Sequence, residues 1–218
     1  MTDLKELYDA IVNGDAKAAA ALTAQALAEQ RDPLEMVNQY MSPAMDEVGR
    51  RFEAEEYFVP ELLLAARAMK AALALVRPLL AARGAKPAGR VAIGTVKGDL
   101  HDIGKNLVAS LLEGGGFQIQ DLGADVGPEK FVQAVRDGDA QIVALSALLT
   151  VTMRGMKTTI DALKEAGVRD RVKVIVGGAP ITQRYADEIG ADGYAENASA
   201  AVALTRRLVG AGPQAVLQ

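Results

Sequence analysis

The chemistry in this chain is concentrated in one decapeptide, Lys97-Gly98-Asp99-Leu100-His101-Asp102-Ile103-Gly104-Lys105-Asn106. It holds the only histidine of the 218 residues, and the chain has no cysteine. An imidazole can serve as acid, base or metal ligand. Asp99 stands two residues before His101, in reach of one ring nitrogen. Such a bond fixes the tautomer and makes the other nitrogen a better metal donor. Gly98 and Gly104 let the backbone lie close to something flat or bulky. A dinucleotide cradle does not fit, because Gly94, Gly98 and Gly104 do not make G-x-G-x-x-G and a phosphate site does not call for two aspartates. Without cysteine there are no disulfides, thiolate nucleophiles or cysteine zinc sites, and a single histidine argues against a zinc site built from protein ligands alone. A lone loop histidine is more often a helix cap or an exposed side chain. Here the flanking glycines, the nearby aspartate and the place of the loop in the fold favour a ligand.

The elements that position this loop fall into two halves of different period. Up to about Arg83 the pattern is helical. Leu4, Leu7, Tyr8 and Ile11 share one face of an amphipathic helix. Asn13-Gly14-Asp15 breaks it, and Asp15 caps an alanine-rich helix over 16–30. Asp32-Pro33 starts a third helix, which Ser42-Pro43 is expected to bend or divide. Pro60 opens a last helix through Leu62, Leu63, Ala66, Met69, Leu73 and Val76. Four or five short helices imply an antiparallel bundle over residues 1–83. Residues 84–90, small, polar and rich in breakers, read as a linker.

From 91 to 218 the pattern alternates. Apolar runs of strand length at Val91–Val96, Phe117–Leu122, Ile142–Leu145 and Val172–Val176, with a short fifth at Gly193–Ala195, are separated by helices near 103–113, 128–137, 151–166, 182–189 and 198–209. That is an α/β domain, a doubly wound parallel sheet with helices on both faces. Five strands suit the flavodoxin-like (Rossmann-like) order, whose cleft opens beyond strands 1 and 3. Asp99–Gly104, Ser146-Ala147-Leu148 and Gly177-Gly178 then leave the carboxyl ends of strands 1, 3 and 4 on one ligand-binding rim.

Half of the residues are hydrophobic, a globular composition. The net charge of −4 and the lack of a Lys/Arg cluster argue against nucleic acid as a partner. The acidic N-terminus is not a signal peptide, and no apolar run reaches membrane-spanning length. A soluble, cytoplasmic protein with no membrane partner is expected.

The residues also carry a family resemblance. D-x-H-x-x-G at Asp99–Gly104, S-x-L at Ser146–Leu148 and G-G at Gly177–Gly178 resemble the cobalamin-binding signature of methionine synthase and its corrinoid-protein relatives. The gaps match: forty-one residues separate Gly104 from Ser146, and twenty-eight separate Leu148 from Gly177. In the first half, Pro43–Gly49, Phe52, Tyr57-Phe58-Val59-Pro60-Glu61, Ala65, Met69 and Lys70 are similar to the helical cap module of the same family. The resemblance runs from about residue 3 to 210, the length of the free-standing corrinoid proteins of methyltransferase systems.

The resemblance implies a cobalamin cofactor, cycling between methylcobalamin and cob(I)alamin, with His101 as lower cobalt ligand in place of the cofactor's own base. Asp99 would hold the His101 ring and Ser146 would complete a hydrogen-bonded relay. Gly98, Leu100, Asp102, Ile103 and Gly104 would contact the cofactor along the loop. The displaced nucleotide tail would thread past Gly98, Ser146, Leu148, Thr150 and Gly177-Gly178, with Ala198 at its far end. Phe52, Val59 and Leu62 would cover the upper corrin face, although apolar residues at that spacing usually fill a bundle core. The implied role is a methyl carrier rather than a complete catalyst. Its partners would be a substrate-specific corrinoid methyltransferase, a second methyltransferase to coenzyme M or tetrahydrofolate, and a reductive activase. The methyl donor, among methanol, methylamines, methoxylated aromatics and betaines, is not legible. A cobalamin-dependent regulator or light sensor without its own DNA-binding domain is the alternative. The small subunit of a carbon-skeleton mutase and an unrelated flavodoxin-like binder follow it.

Overall fold

In the computed structural model, which describes residues 2–84 and 86–210, five apolar runs pair as one parallel sheet. The strands are β1 (Arg90–Thr95), β2 (Gln118–Asp121), β3 (Ile142–Ser146), β4 (Lys173–Gly177) and β5 (Gly193–Tyr194), in the order β2-β1-β3-β4-β5. The crossovers contain helices α6 (Ile103–Gly114), α7 (Pro128–Arg136), α8 (Arg154–Glu165) and α9 (Gln183–Ile189), and α10 (Ala198–Leu208) follows β5. This is the flavodoxin-like order that the sequence implies. Both faces of each central strand are apolar because both are covered. Ala92, Val143, Leu145, Val174 and Val176 point into a core with Phe131 and Val135 of α7, Met156, Ile160 and Leu163 of α8, and Ile189 of α9. Val91, Ile93, Ile142 and Ile175, one residue out of phase, line the other face and are also buried; there α10 packs on β4 and β5.

The register makes the site possible. Pairing runs Thr95↔Ser146 and Ser146↔Gly177, so β1, β3 and β4 end level with one another. Val96 adds one more rung, donating its N–H to the Ser146 carbonyl at 3.0 Å and bridging Val126. Past β4, Gly178 has φ +130, and a Cβ there would overlap the Ala147 carbonyl oxygen. The chain after β4 can approach the chain after β3 only because this residue is glycine.

By contact clustering the chain divides into two units. One comprises Gly89–Leu112 with Gln118–Gly210, and the other the remaining described residues, the helical first part with Glu113–Phe117. The tail 211–218, counted with the sheet domain in the sequence reading, and Ala85 of the linker lie outside the described residues. The helical unit contains α1 (Leu4–Val12), α2 (Ala16–Ala28), α3 (Pro33–Met36), α4 (Ser42–Glu53) and α5 (Val59–Ala82). Its helices start where short polar side chains cap them. Asp3 accepts from the Lys5 N–H, Asp15 from Ala18, and Asp32 from Leu34 and Glu35. Alanine-rich α2 packs closely on α5, whose buried stripe is Leu62, Ala65, Ala66, Met69, Leu73, Val76 and Leu80.

Ser42-Pro43 is expected to bend or divide the third helix, and the helix is divided there: α3 ends at Met36, a π-turn covers Val37–Met41 and α4 starts at Ser42. Residues 33–53 stay helical through a π-turn at Val37–Met41, in which the Ser42 N–H reaches back to the Val37 carbonyl. Proline has no N–H to offer the residue four before it. One wide turn placed just ahead of Pro43 absorbs that defect.

Substituting Gly178→Ala should therefore lower stability by at least about 2 kcal/mol, since it adds both a positive-φ penalty and a backbone clash. Urea unfolding should show a lower midpoint at unchanged slope. A midpoint equal to that of the parent chain would contradict the crowding described.

Candidate functional site

The loop from β1 to α6 is built around one buried charge. Asp99 turns back on β1 by donating its N–H to the Val96 carbonyl at 3.1 Å. Its carboxylate is then fully enclosed, with a side-chain exposure of 0%. An isolated buried carboxylate would be costly or would neutralise itself. Here five donors meet it. Oδ1 accepts from the His101 backbone N–H at 3.0 Å and from His101 Nδ1 at 2.8 Å. Oδ2 accepts from the backbone N–H groups of Leu148 (2.8 Å) and Leu149 (3.3 Å) and from Thr152 Oγ1 at 2.7 Å. Burial pushes the Asp99 carboxyl up. The hydrogen bonds from Thr152, the His101 and Leu148 N–H groups and the His101 ring outweigh it and hold the group well below the usual carboxylate range.

An ionised Asp99 can only accept, so the proton between the pair sits on His101 Nδ1. In the neutral ring the other nitrogen, Nε2, then carries the lone pair, and the imidazole is half exposed at 50%. The ring is thus fixed at one end and open at the other. Thr95 Oγ1 adds a bond to the His101 carbonyl at 3.0 Å. The first turn of α6 is tied down by Lys105, whose side chain is buried and whose Nζ contacts both Asp121 carboxylate oxygens (2.6 and 2.5 Å) and Asn106 Oδ1 (2.6 Å).

Around the open nitrogen the surface is unusually apolar. Leu100 is 76% exposed, Ile103 83% and Val151 66%, with Leu148 and Leu149 also open. Exposed aliphatic side chains gathered at one rim mark a binding surface. Among the described residues no group of three or more His, Cys, Asp or Glu could hold a metal ion. A metal at His101 must therefore arrive with its other ligands already in place. A metal held in a bulky, largely apolar ring meets both conditions, and these residues fit it.

The site residues expected from the sequence divide as follows. Asp99 and His101 are hydrogen-bonded as anticipated. Gly98, Leu100, Asp102, Ile103 and Gly104 lie exposed on the same loop, and Leu148 and Thr150 on the neighbouring turn. Ser146 ends β3 and gives its carbonyl to Val96, but its hydroxyl is not among the partners of Asp99. The hydroxyl on that carboxylate belongs to Thr152, which the sequence reading does not single out. The helix drawn from Val151 hid this. Residues 149–153 form a turn, with the Thr152 N–H bonded to the Leu149 carbonyl at 3.0 Å, and α8 begins only at Arg154. Gly177 and Gly178 are half-buried; at Gly178 the missing Cβ makes room for the Ala147 backbone as well as for any ligand. Ala198 opens α10, buried behind the Asn197 cap. In the helical unit Val59 is exposed and Phe52 half-buried, whereas Leu62 is fully buried on the α5 stripe and presents no surface. That is the core-filling outcome its helical spacing allowed. Phe58 and Leu63, part of the cap resemblance and of the last helix but not named as site residues, are exposed beside it.

Comparison with known proteins agrees with this chemistry. The model of the B12 binding domain matches residues 89–203, and a second B12 binding domain model matches residues 3–77. The dimethylamine corrinoid protein of Methanosarcina barkeri is 43% identical over 208 residues, covering 94% of this chain and 97% of that one. The trimethylamine corrinoid protein of the same organism is 46% identical over 197 residues, covering 89% and 91%. Among solved structures, a cobalamin-binding protein from Desulfitobacterium hafniense matches with TM-score 0.80 and 33% identity over 95% of this chain and 99% of that one. The methanol:cobalamin methyltransferase complex of Methanosarcina barkeri matches with TM-score 0.83 and 27% identity over 96% and 80%.

Thr152→Val, which keeps the shape and removes the hydroxyl, should cost about 1.5–3 kcal/mol at neutral pH, the value of a hydrogen bond to a buried charge. The sign with pH follows from a depressed carboxyl. Its stabilisation is present above the ordinary value of 3.8 and is lost as pH falls below it, so the gap between parent and variant should shrink in acid. Urea unfolding at pH 7 and pH 3 measures both.

Proposed function

The chain belongs to the B12-binding family, and from that membership we propose that it is a corrinoid methyl carrier whose cobalamin is bound base-off, with His101 Nε2 as the lower ligand to cobalt. Cobalamin as the cofactor follows from both B12-binding matches and from the corrinoid relatives. The observation that carries the ligand assignment is the geometry of His101. Its Nδ1 proton is held at 2.8 Å by a buried, ionised carboxylate, and its Nε2 side is open beneath an apolar rim.

When bound, the corrinoid supplies a cobalt that accepts and gives up a methyl group. The chain supplies orientation and proton control. Asp99 keeps the proton on Nδ1, so Nε2 is available as a lone-pair donor. Asp99 would hold the ring through the same Nδ1 contact whether or not Nε2 serves as a ligand. Leu148 and Leu149 contribute their N–H groups to Asp99 while their side chains remain part of the open rim.

In this reading Gly98, Leu100, Asp102, Ile103, Gly104, Ser146, Leu148, Thr150, Gly177, Gly178 and Ala198 line the path of the cofactor, and Phe52 and Val59 of the helical unit shield its upper face. The helical residues 1–83 act as the cap and 84–90 as its linker. The relatives named for dimethylamine and trimethylamine, and the neighbour that is a methanol:cobalamin methyltransferase complex, support a methyltransferase as partner. The proposed partners are a substrate-specific methyltransferase that loads the methyl group and, from the carrier role alone, a second enzyme that passes it to coenzyme M or tetrahydrofolate. A reductive activase would restore oxidised cobalt. Among the described residues no helix is long and apolar enough to cross a membrane.

Purified chain loaded with hydroxocobalamin or methylcobalamin and desalted should retain the corrinoid and show the visible spectrum of a base-off, histidine-ligated cofactor. His101→Ala should lose or alter that spectrum. A parent chain that retains no corrinoid would overturn the carrier reading. An unchanged spectrum in His101→Ala would overturn the ligand assignment alone.

A further inference from the structure

The connection from β2 to α7 reaches the histidine loop through one residue. Asp125 has φ +53, a left-handed conformation that residues with side chains rarely adopt. In that conformation its backbone and side chain both point at the loop. The Asp125 N–H donates to the Asp99 carbonyl at 2.9 Å. Its Oδ1 accepts the Gly98 N–H at 2.8 Å, and its Oδ2 accepts Lys97 Nζ at 3.0 Å. Gly98 is itself at φ +85. A turn with positive φ at a residue lacking a side chain has little to fix it locally. Here the peptide groups on either side of Gly98 Cα and Asp99 Cα are pinned from a segment 27 positions away in sequence. The next residue, Val126, completes the anchor by donating its N–H to the Thr95 carbonyl at 2.9 Å.

We propose that Asp125 is a positioning residue for His101. By clamping the Gly98 N–H and the Asp99 carbonyl it sets the pitch of residues 98–99. That pitch aims the Asp99 carboxylate at Nδ1 and holds the ring as the Nδ1–H tautomer. Asp125 makes no hydrogen bond to the imidazole, and it acts through Asp99. The purpose assigned to it rests on His101 being the metal ligand. The clamp itself rests only on bonds within the chain.

The single histidine makes the test direct. With 15N-labelled histidine the protein gives one pair of ring nitrogen resonances, which report the tautomer in the cofactor-free chain at a pH where the ring is neutral. Asp125→Gly keeps the positive φ and removes the carboxylate. Asp125→Glu keeps the charge and displaces it. Asp125→Asn tolerates the positive φ and retains an oxygen for the Gly98 N–H. The Gly and Glu variants should draw the two resonances toward one another, reporting loss of the fixed tautomer, and Asn should restore the parent pattern. After loading with cobalamin and reduction to the cobalt(II) state, the nitrogen splitting of the electron paramagnetic resonance signal should weaken in Gly and Glu and return in Asn. Parent-like ring resonances in folded Asp125→Gly and Asp125→Glu would overturn the proposal. A parent chain that binds no corrinoid would overturn the carrier reading instead, and the ring resonances would still decide the clamp.

Discussion

Everything at the rim depends on keeping one charge buried. Asp99 has no solvent to stabilise it, and five hydrogen bonds from its own loop and the turn after β3 take the place of water. Each of those donors is then constrained in turn. The Leu148 and Leu149 N–H groups must face inward, which turns their side chains out. The His101 ring must stand with Nδ1 toward the protein. The open nitrogen and the apolar rim are therefore two results of the same burial, rather than features assembled separately.

The sheet order is what allows this. In the order β2-β1-β3-β4-β5, the loops after β1 and β3 are neighbours although they lie some fifty residues apart in the chain. A right-handed crossover leaves β1 on one side of the switch and returns on the other, and the cleft opens between them. The rung Thr95↔Ser146 and the extra Val96 bond bring the two loop starts to the same level. A register slip of one residue would turn Thr95, which supports the His101 carbonyl, to the opposite face of the sheet.

How much of this the sequence discloses depends on the range of the interaction. Strands and helices were legible because their periods are local, and most of their limits fall within a residue or two of the observed ones. The Asp99–His101 pair was legible because its partners are two residues apart. Thr152 was not, because its role depends on a turn at 149–153 that interrupts what reads as a continuous amphipathic helix. Leu62 was misplaced because periodicity identifies the apolar face of a helix without saying which of its residues stay uncovered. Ser42-Pro43 signals that the third helix bends or divides, but not that the division takes the form of a π-turn ahead of it. Lys105 reads as an ordinary first-turn residue, and only the end of β2, brought beside it by folding, shows that its ammonium is buried against Asp121.

Among the described residues no cluster of metal donors stands beside His101, and this also bears on selectivity. Affinity for free divalent ions rises along a series common to nearly all nitrogen and oxygen sites, so a multidentate pocket would collect copper or zinc whatever its intended metal. One imidazole offers such ions a single bond and little reason to stay. The same imidazole suffices for a metal that is already caged and lacks one axial ligand. A site of this kind discriminates among metals by how few ligands it provides.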